Sequence, residues 1–388
     1  MSGGALAGIR VADFSRVLAG PFATMMLADL GADVIKIESP AGDDTRQWQP
    51  PTDASGGSTY FSSVNRNKRS LVCDLRTEEG RERALRLALA ADVVVENFRP
   101  GTMQRFGLGP AELLERNPRL VYCSITGFGG GAGSDLSGYD LLVQAVGGLM
   151  SITGQAAGEP TKVGVALVDV LTGYAATSGI LAAVRHAERT GVGQRVEVDL
   201  LSTLLSSLVN QASSTLATGE SPERMGNAHP SIAPYETLQA SDGPLAIAVG
   251  NDRQFRDLVG VLGLPGLADD PRFRDNPSRV AHRTELRAQL EAALAGRTAT
   301  EWVELLTAAR VPAGRVNTVQ EAFDLAQSLG LDRIVELTDP ATGATVRQVA
   351  NPIRLSQTPA DYHRPPPRLG EHPHADWPPH EEGARSHD

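Results

Sequence analysis

Short apolar runs alternate with amphipathic stretches through the first half of the chain. The runs I-R-V-A-D-F (9–14), A-D-V-I-K-I-E (32–38), S-L-V-C-D-L (70–75), D-V-V-V-E-N-F (92–98) and L-V-Y-C-S-I-T (120–126) read as strands. Gly20-Pro21 opens a helix that Gly31 stops, and helical periodicity recurs over 78–90, 110–117 and 139–150. This alternation predicts βαβ units and a mainly parallel sheet. Ligands of such sheets bind beyond the strand C-termini, so the loops at those ends are the ones to inspect. A short strand and a long helix follow over 195–217, and the stretch around A-T-G-E-S-P-E-R (217–224) gives a linker at 218–225. Two strand patterns around Ser241-Asp242-Gly243 and helices at 252–262, 281–295 and 299–309 predict a small α+β domain over 226–325. Residues 326–388 then return to the large domain formed by 1–217, through a second linker, and end in a Pro- and His-rich tail.

The stretch 160–185 contains about twenty mostly small or apolar residues and one acid, Asp169. Its length suits a membrane span, but Gly, Ala, Ser and Thr make up about half of it, which lowers its hydropathy. Two readings of Asp169 remain open at this point. It is a helix N-cap accepting the Thr172 amide, or it is a nucleophile or base at a pocket mouth, with Thr172, Gly173 and Ala176 on its face leaving room for a ligand.

The strand-end loops carry further chemistry. S-R-V-L-A-G-P approaches a helix N-terminus; Arg66, Lys68, Arg69 and Arg76 read as a cationic patch around the third strand; E-N-F-R-P-G supplies an amide, a stacking face and a charge, with Arg105 soon after. Such convergence suits a nucleotide with phosphates. G-F-G-G-G-A (127–132) reads as a flexible loop, because no helix follows it at once. A net charge of −10, from 36 basic and 46 acidic residues, has the wrong sign for a general nucleic-acid or anionic-membrane binder. Cys73 and Cys123 lie in apolar strand-like runs and read as reduced core thiols. The start of the chain lacks a signal-peptide pattern, so a cytoplasmic location is expected. Serine-hydrolase, P-loop and C-x-x-C signatures are absent from the sequence, and the histidines at 363, 372, 374, 380 and 387 suggest at most weak metal binding in the tail.

R-V-L-A-G-P-F-A-T-M-M-L-A-D-L-G-A-D-V-I-K-I-E, N-K-R-S-L, E-N-F-R-P-G, G-Y-D-L-L-V-Q-A-V-G-G-L-M-S-I-T-G, V-D-V-L-T-G around Asp169, G-N-A-H-P-S-I-A-P-Y and L-G-E-H together resemble the family III CoA-transferases. That group includes formyl-CoA, succinyl-CoA and carnitine CoA-transferases and the α-methylacyl-CoA racemases. The resemblance implies an α/β fold with a large Rossmann-like CoA-binding domain and a small α+β domain, in an interlocked homodimer. It implies coenzyme A, as an acyl-CoA substrate, a carboxylic acid acceptor, and no metal. Asp169 is then the nucleophile, and CoA lies along Leu18, Ala19, Leu75, Arg76, Asn97, Phe98, Arg99, Arg105, Ser137, Gly138, Tyr139 and Asp140. Two departures from the formyl-CoA branch stand out. Ser39 replaces a basic residue, and the four-glycine run of that branch is absent, with G-N-D-R-Q-F (250–255) in the small domain instead, so formate and oxalate are poor substrate guesses. Succinyl-CoA is one candidate donor that the resemblance offers. A racemase uses a histidine in G-H-D where this chain has Tyr139, a poor proton carrier with a reference pKa of about 10. A non-catalytic CoA-binding protein is the remaining alternative. For transfer, one carboxylate suffices, with backbone amides near Gly250 and Gly138 as candidate donors to the tetrahedral intermediates.

Overall fold

A computed structural model describes residues 4–378. These form two compact units: the chain up to Leu149 with Val163–Thr218 and the chain from Asp332 onward, and Met150–Lys162 with Gly219–Leu331. Residues 150–162, which the sequence reading keeps in the large domain, group with the second unit.

The first unit is built on β1 (Arg10–Asp13), β2 (Asp33–Glu38), β3 (Lys68–Val72), β4 (Val93–Glu96), β5 (Val121–Thr126) and β6 (Gln194–Asp199), in the order β3-β2-β1-β4-β5-β6. Every pairing in this sheet is parallel. Both faces are covered, which is why the strands are continuous apolar runs in the sequence. Alternate residues feed opposite cores: Val11, Val93, Val95, Val121 and Cys123 join one cluster, while Ala12, Val94 and Tyr122 join the other.

Helices α1 (Ala19–Asp29), α2 (Glu78–Ala90), α3 (Asp140–Val146) and α4 (Leu167–Thr190) lie between these strands along the chain, and α5 (Leu200–Ser207) follows β6. Thr77 caps α2 by accepting the Gly80 amide at 3.1 Å, with Glu78 and Glu79 in the first turn. Helix α4 is long and apolar enough to cross a membrane by length and composition alone, but its buried stripe, from Val168 through Ala176 and Ile180 to Ala187, belongs to the core packed against α1 and the sheet.

The second unit has an antiparallel sheet of β7 (Tyr235–Gln239), β8 (Pro244–Ala248) and β9 (Ala313–Arg315). Helices α6 (Asp252–Val261), α7 (Arg283–Leu294) and α8 (Ala299–Ala308) pack on it through Phe255, Leu290 and Trp302. The chain from Asp332 forms the hairpin β10 (Ile334–Thr338) and β11 (Thr345–Val349), then runs along the edge of β3. His372 donates its amide to the Ser70 carbonyl (2.9 Å) and accepts the Ser70 amide on Nδ1 (3.3 Å), and Trp377 is buried with its Nε1 on Asp33 (2.8 Å). His372 is therefore a structural residue, while His380 and His387 lie outside the described residues. Among the described residues, no His, Cys, Asp or Glu cluster has the arrangement of a metal site.

Candidate active site

Strand order reverses between β1 and β4, so the chains leaving these two neighbours diverge and open a crevice. A cavity of about 200 Å³ lies there. Leu18, Ala19, Asn97, Phe98, Arg99, Ser137, Gly138, Tyr139 and Asp169 all line it. Leu75 and Arg76 line an adjoining cavity of about 340 Å³, and Arg16 and Phe98 border both. Arg105 borders neither; it is exposed and donates to the Thr102 hydroxyl at 3.3 Å.

The N-terminus of α4 differs from the sequence expectation. The helix starts at Leu167, two residues before Asp169, and Ala166 occupies the cap position without a side-chain hydrogen bond. Asp140, at the start of α3, caps it instead: its Oδ1 accepts the Val168 amide at 2.8 Å and the Asp169 amide at 3.2 Å. Its Oδ2 accepts from Gln144 Nε2 at 2.6 Å, and Gln144 Oε1 accepts the Val163 amide at 2.9 Å. The N-cap reading of Asp169 is therefore overturned. Asp169 lies in the first helical turn, and among the described residues its carboxylate accepts no hydrogen bond.

Half-burial and the neighbouring Asp140 carboxylate push the pKa of Asp169 up to about 7. Burial first, then the Asp169 and Asp140 charges, push the Tyr60 phenol up to about 12, so it stays protonated, and its ring stacks edge-on against Trp48. Thr172, Gly173 and Ala176 do not make room for a ligand, as their spacing suggested. All three are buried, and Gly173 brings α4 so close to α1 that a Cβ there would lie 2.8 Å from the Phe22 ring and 2.9 Å from the Ala19 carbonyl.

The β1 loop is held at every backbone step. Ser15 donates its amide to Asp13 at 3.0 Å, and its carbonyl accepts from the Lys36 ammonium at 2.8 Å. Asn97, at the end of β4, accepts the Arg16 amide (2.8 Å) and donates to the Arg16 carbonyl (2.7 Å), so both polar atoms of its side chain are engaged within the protein. Val17 has φ +68°, a left-handed conformation that costs a β-branched residue roughly 1–2 kcal/mol, and its amide donates to Asp43.

Three of the four cations read as a ligand patch are structural. Arg66 is buried and forms a two-pronged pair with Asp29 (2.9 and 2.7 Å), Lys68 is buried against Asp13 (3.1 Å), and Arg69 pairs with Asp33. They surround the start of β3, at the opposite end of the strand from the crevice. Arg76 alone borders a cavity, with Nε and Nη2 on Asp74 at 2.9 Å each. The loop read as merely flexible is a wall of the crevice: Gly127, Phe128, Gly129 and Gly133 border the cavity, and Gly127 and Gly138 approach so closely that a Cβ on either would come within 2.4–2.6 Å of the other's Cα. Its place at the end of β5, beside the β1–β4 crevice, was the sequence signal for that role. The Gly250 amide donates to Gln254 Oε1 at 2.9 Å and so already has a partner. Both cysteines are free and buried, and burial pushes the Cys123 thiol up to about 12, which disfavours the thiolate.

The model for CoA-transferase family III matches residues 6–373. The chain belongs to CoA-transferase family III. A succinate–glutarate CoA-transferase from Agrobacterium fabrum is 46% identical over 381 residues, covering 95% of this chain and 93% of that protein. An acetyl-CoA:oxalate CoA-transferase from Acetobacter aceti is 41% identical, covering 94% and 92%. The crystal structure of a CaiB/BaiF family protein from Brucella suis superposes with a TM-score of 0.86 at 44% identity, covering 96% of this chain and 98% of that one. This family III member is a CoA-transferase, and its substrates are an acyl-CoA and a carboxylate.

Proposed function

We propose that this enzyme moves CoA from succinyl-CoA to a dicarboxylic acid of about glutarate's size, with Asp169 as the covalent carrier. The carrying observation is the Asp169 carboxylate, free of hydrogen bonds among the described residues and bordering the cavity at the strand ends. An Asp169 oxygen attacks the thioester carbonyl, the C–S bond breaks, and CoA leaves as a thiolate, giving a mixed anhydride. The thiolate attacks the aspartyl carbonyl and expels the donor acid, which leaves an aspartyl-CoA thioester. The acceptor carboxylate attacks that thioester, and the same steps run in reverse. The donor assignment is supported by the succinate–glutarate relative at 46% identity; the oxalate enzyme at 41% keeps shorter diacids in the acceptor panel.

In this reading the Rossmann-like first unit binds CoA. The reactive end of the pantetheine enters the smaller cavity between Leu18, Gly138 and Asp169, and the nucleotide end takes the adjoining cavity beside Leu75 and Arg76, with Phe98 between them. Arg99 and Arg105 stand exposed nearby as further cations for the phosphates. Asp140 acts on Asp169 rather than on CoA. The enzyme works as a cytoplasmic homodimer.

Replacing Asp169 with Ala should abolish transfer between succinyl-CoA and glutarate by several orders of magnitude while the protein still folds. Mixing the parent with succinyl-CoA alone, quenching with hydroxylamine and mapping the peptide should place the label on Asp169. A full-speed Asp169→Ala variant, or a label elsewhere, removes Asp169 from the chemistry. Mass spectrometry of CoA products across diacid pairs fixes the acceptor.

A further inference from the structure

We propose that the buried Asp43–Lys36 pair is a positioning device for the reaction: it holds Val17 in its left-handed conformation and so fixes the Val17–Ala19 wall of the crevice opposite Asp169. The inference rests on the reading that the crevice is the transfer site.

Lys36, inside β2, and Asp43, in the loop after it, meet at 3.0 Å with both side chains fully buried. A buried ion pair is weak evidence for stability, because apolar side chains of similar volume usually stabilise a core as well or better. What this pair does locally is specific. Lys36 donates to the Ser15 carbonyl at 2.8 Å, and both Asp43 oxygens lie 3.2–3.3 Å from the Val17 amide. Asp43 is itself fixed by the Thr45 amide (3.0 Å) and hydroxyl (2.8 Å), and its own amide is held by Glu38 at 3.0 Å. The carboxylate therefore faces the one non-glycine residue of this loop with a positive φ. Such strain persists only where the surroundings over-determine it, and it gathers at functional sites.

Val17 leads directly into Leu18 and Ala19, which border the same cavity as Asp169. Ala19 also meets Gly173, one turn after Asp169 in α4, at a spacing that leaves no room for a Cβ. With the Asp43–Lys36 pair broken, an asparagine amide faces the Lys36 ammonium and turns away from its present position, the hold on the Val17 amide weakens, Val17 relaxes toward negative φ, the turn into α1 rotates, and the wall facing the reacting thioester moves. A shift of about 1 Å at such a wall costs up to roughly a hundredfold in rate.

The test is a double-mutant cycle of Asp43→Asn and Val17→Gly, with Thr45→Val as a gentler second route that loosens Asp43 without removing its charge. Glycine adopts positive φ without strain, so its presence removes the need for the carboxylate. Asp43→Asn should lower kcat at least tenfold, with a smaller change in the KM for succinyl-CoA; adding Val17→Gly should restore a substantial part of that loss. Thr45→Val should show the same pattern with smaller amplitude. Hydrogen exchange at the Val17 and Leu18 amides, read without turnover, should accelerate in Asp43→Asn and Thr45→Val. Lower melting temperatures with unchanged kcat, or losses that simply add, would overturn the proposal. If Asp43→Asn does not fold, the Thr45→Val cycle decides alone. A parent protein without transferase activity would instead refute the functional reading, and the exchange rates would still report whether the pair holds the loop.

Discussion

Asp140 and Asp169 divide between them two tasks that one aspartate could have combined. Asp140 takes the amides at the start of α4, which leaves the Asp169 oxygens free toward the cavity but places a second carboxylate beside them. Burial and that neighbour raise the Asp169 pKa to about 7. In the proposed mechanism the attacking form is the carboxylate, so the pH profile of kcat should rise through about pH 7 and level off above it. Asp140→Asn removes the like charge and should move that rise to lower pH, as measured by initial rates from pH 5 to 9; an unmoved inflection would dissociate the two carboxylates. Stability carries the opposite sign. The folded chain keeps this proton up to about pH 7, whereas an unfolded chain releases it near 4, so this group's contribution to stability falls as pH rises between those values and is constant above them. Asp169 stood out in the sequence as a lone acid in an apolar stretch. Asp140's partnership with it was not, because the two residues are 29 positions apart and meet only once α3 lies across the start of α4.

Among the elements, the contact between α1 and α4 couples the crevice to the core. Gly173 lets the helices approach with no side chain between them, and the Ala19 carbonyl that limits the space is backbone and cannot swing away. Gly173→Ala should therefore cost about 1–3 kcal/mol in denaturant unfolding and depress kcat as well. Full retention of both would show that the helices separate freely. Strands and helices of the sheet were legible because burial on both faces writes apolar runs into the chain, and α2 spans the residues 78–90 that helical periodicity predicted. The start of α4 was misread for a physical reason: the residue that satisfies its first amides comes from elsewhere in the sequence, so no local cap marked the boundary. The cationic run at 66–69 was misread for a related one. Charge was taken for exposure, whereas Asp29 and Asp13 draw Arg66 and Lys68 into the interior.

For the whole molecule, the proposed homodimer gives the exposed apolar side chains an occupant. Leu141, Leu142 and Val146 on α3 are 51%, 45% and 67% exposed, and Tyr139 just before them is 62% exposed. These residues adjoin Asp140 and the cavity, which suits a surface covered by a second copy. Sedimentation at micromolar concentration should give a dimer; a stable, fully active monomer would leave this face without an occupant.

The chain passes between its two units four times, after residues 149, 162, 218 and 331. The large unit is consequently completed by residues that follow the whole of the second unit along the chain: Ala375 and Trp377 sit in the core beside Ile35 and Val94, and the Val349 carbonyl accepts from Arg66 at 2.8 Å. During synthesis the six-stranded sheet therefore keeps one flank open while more than a hundred residues of the other unit emerge.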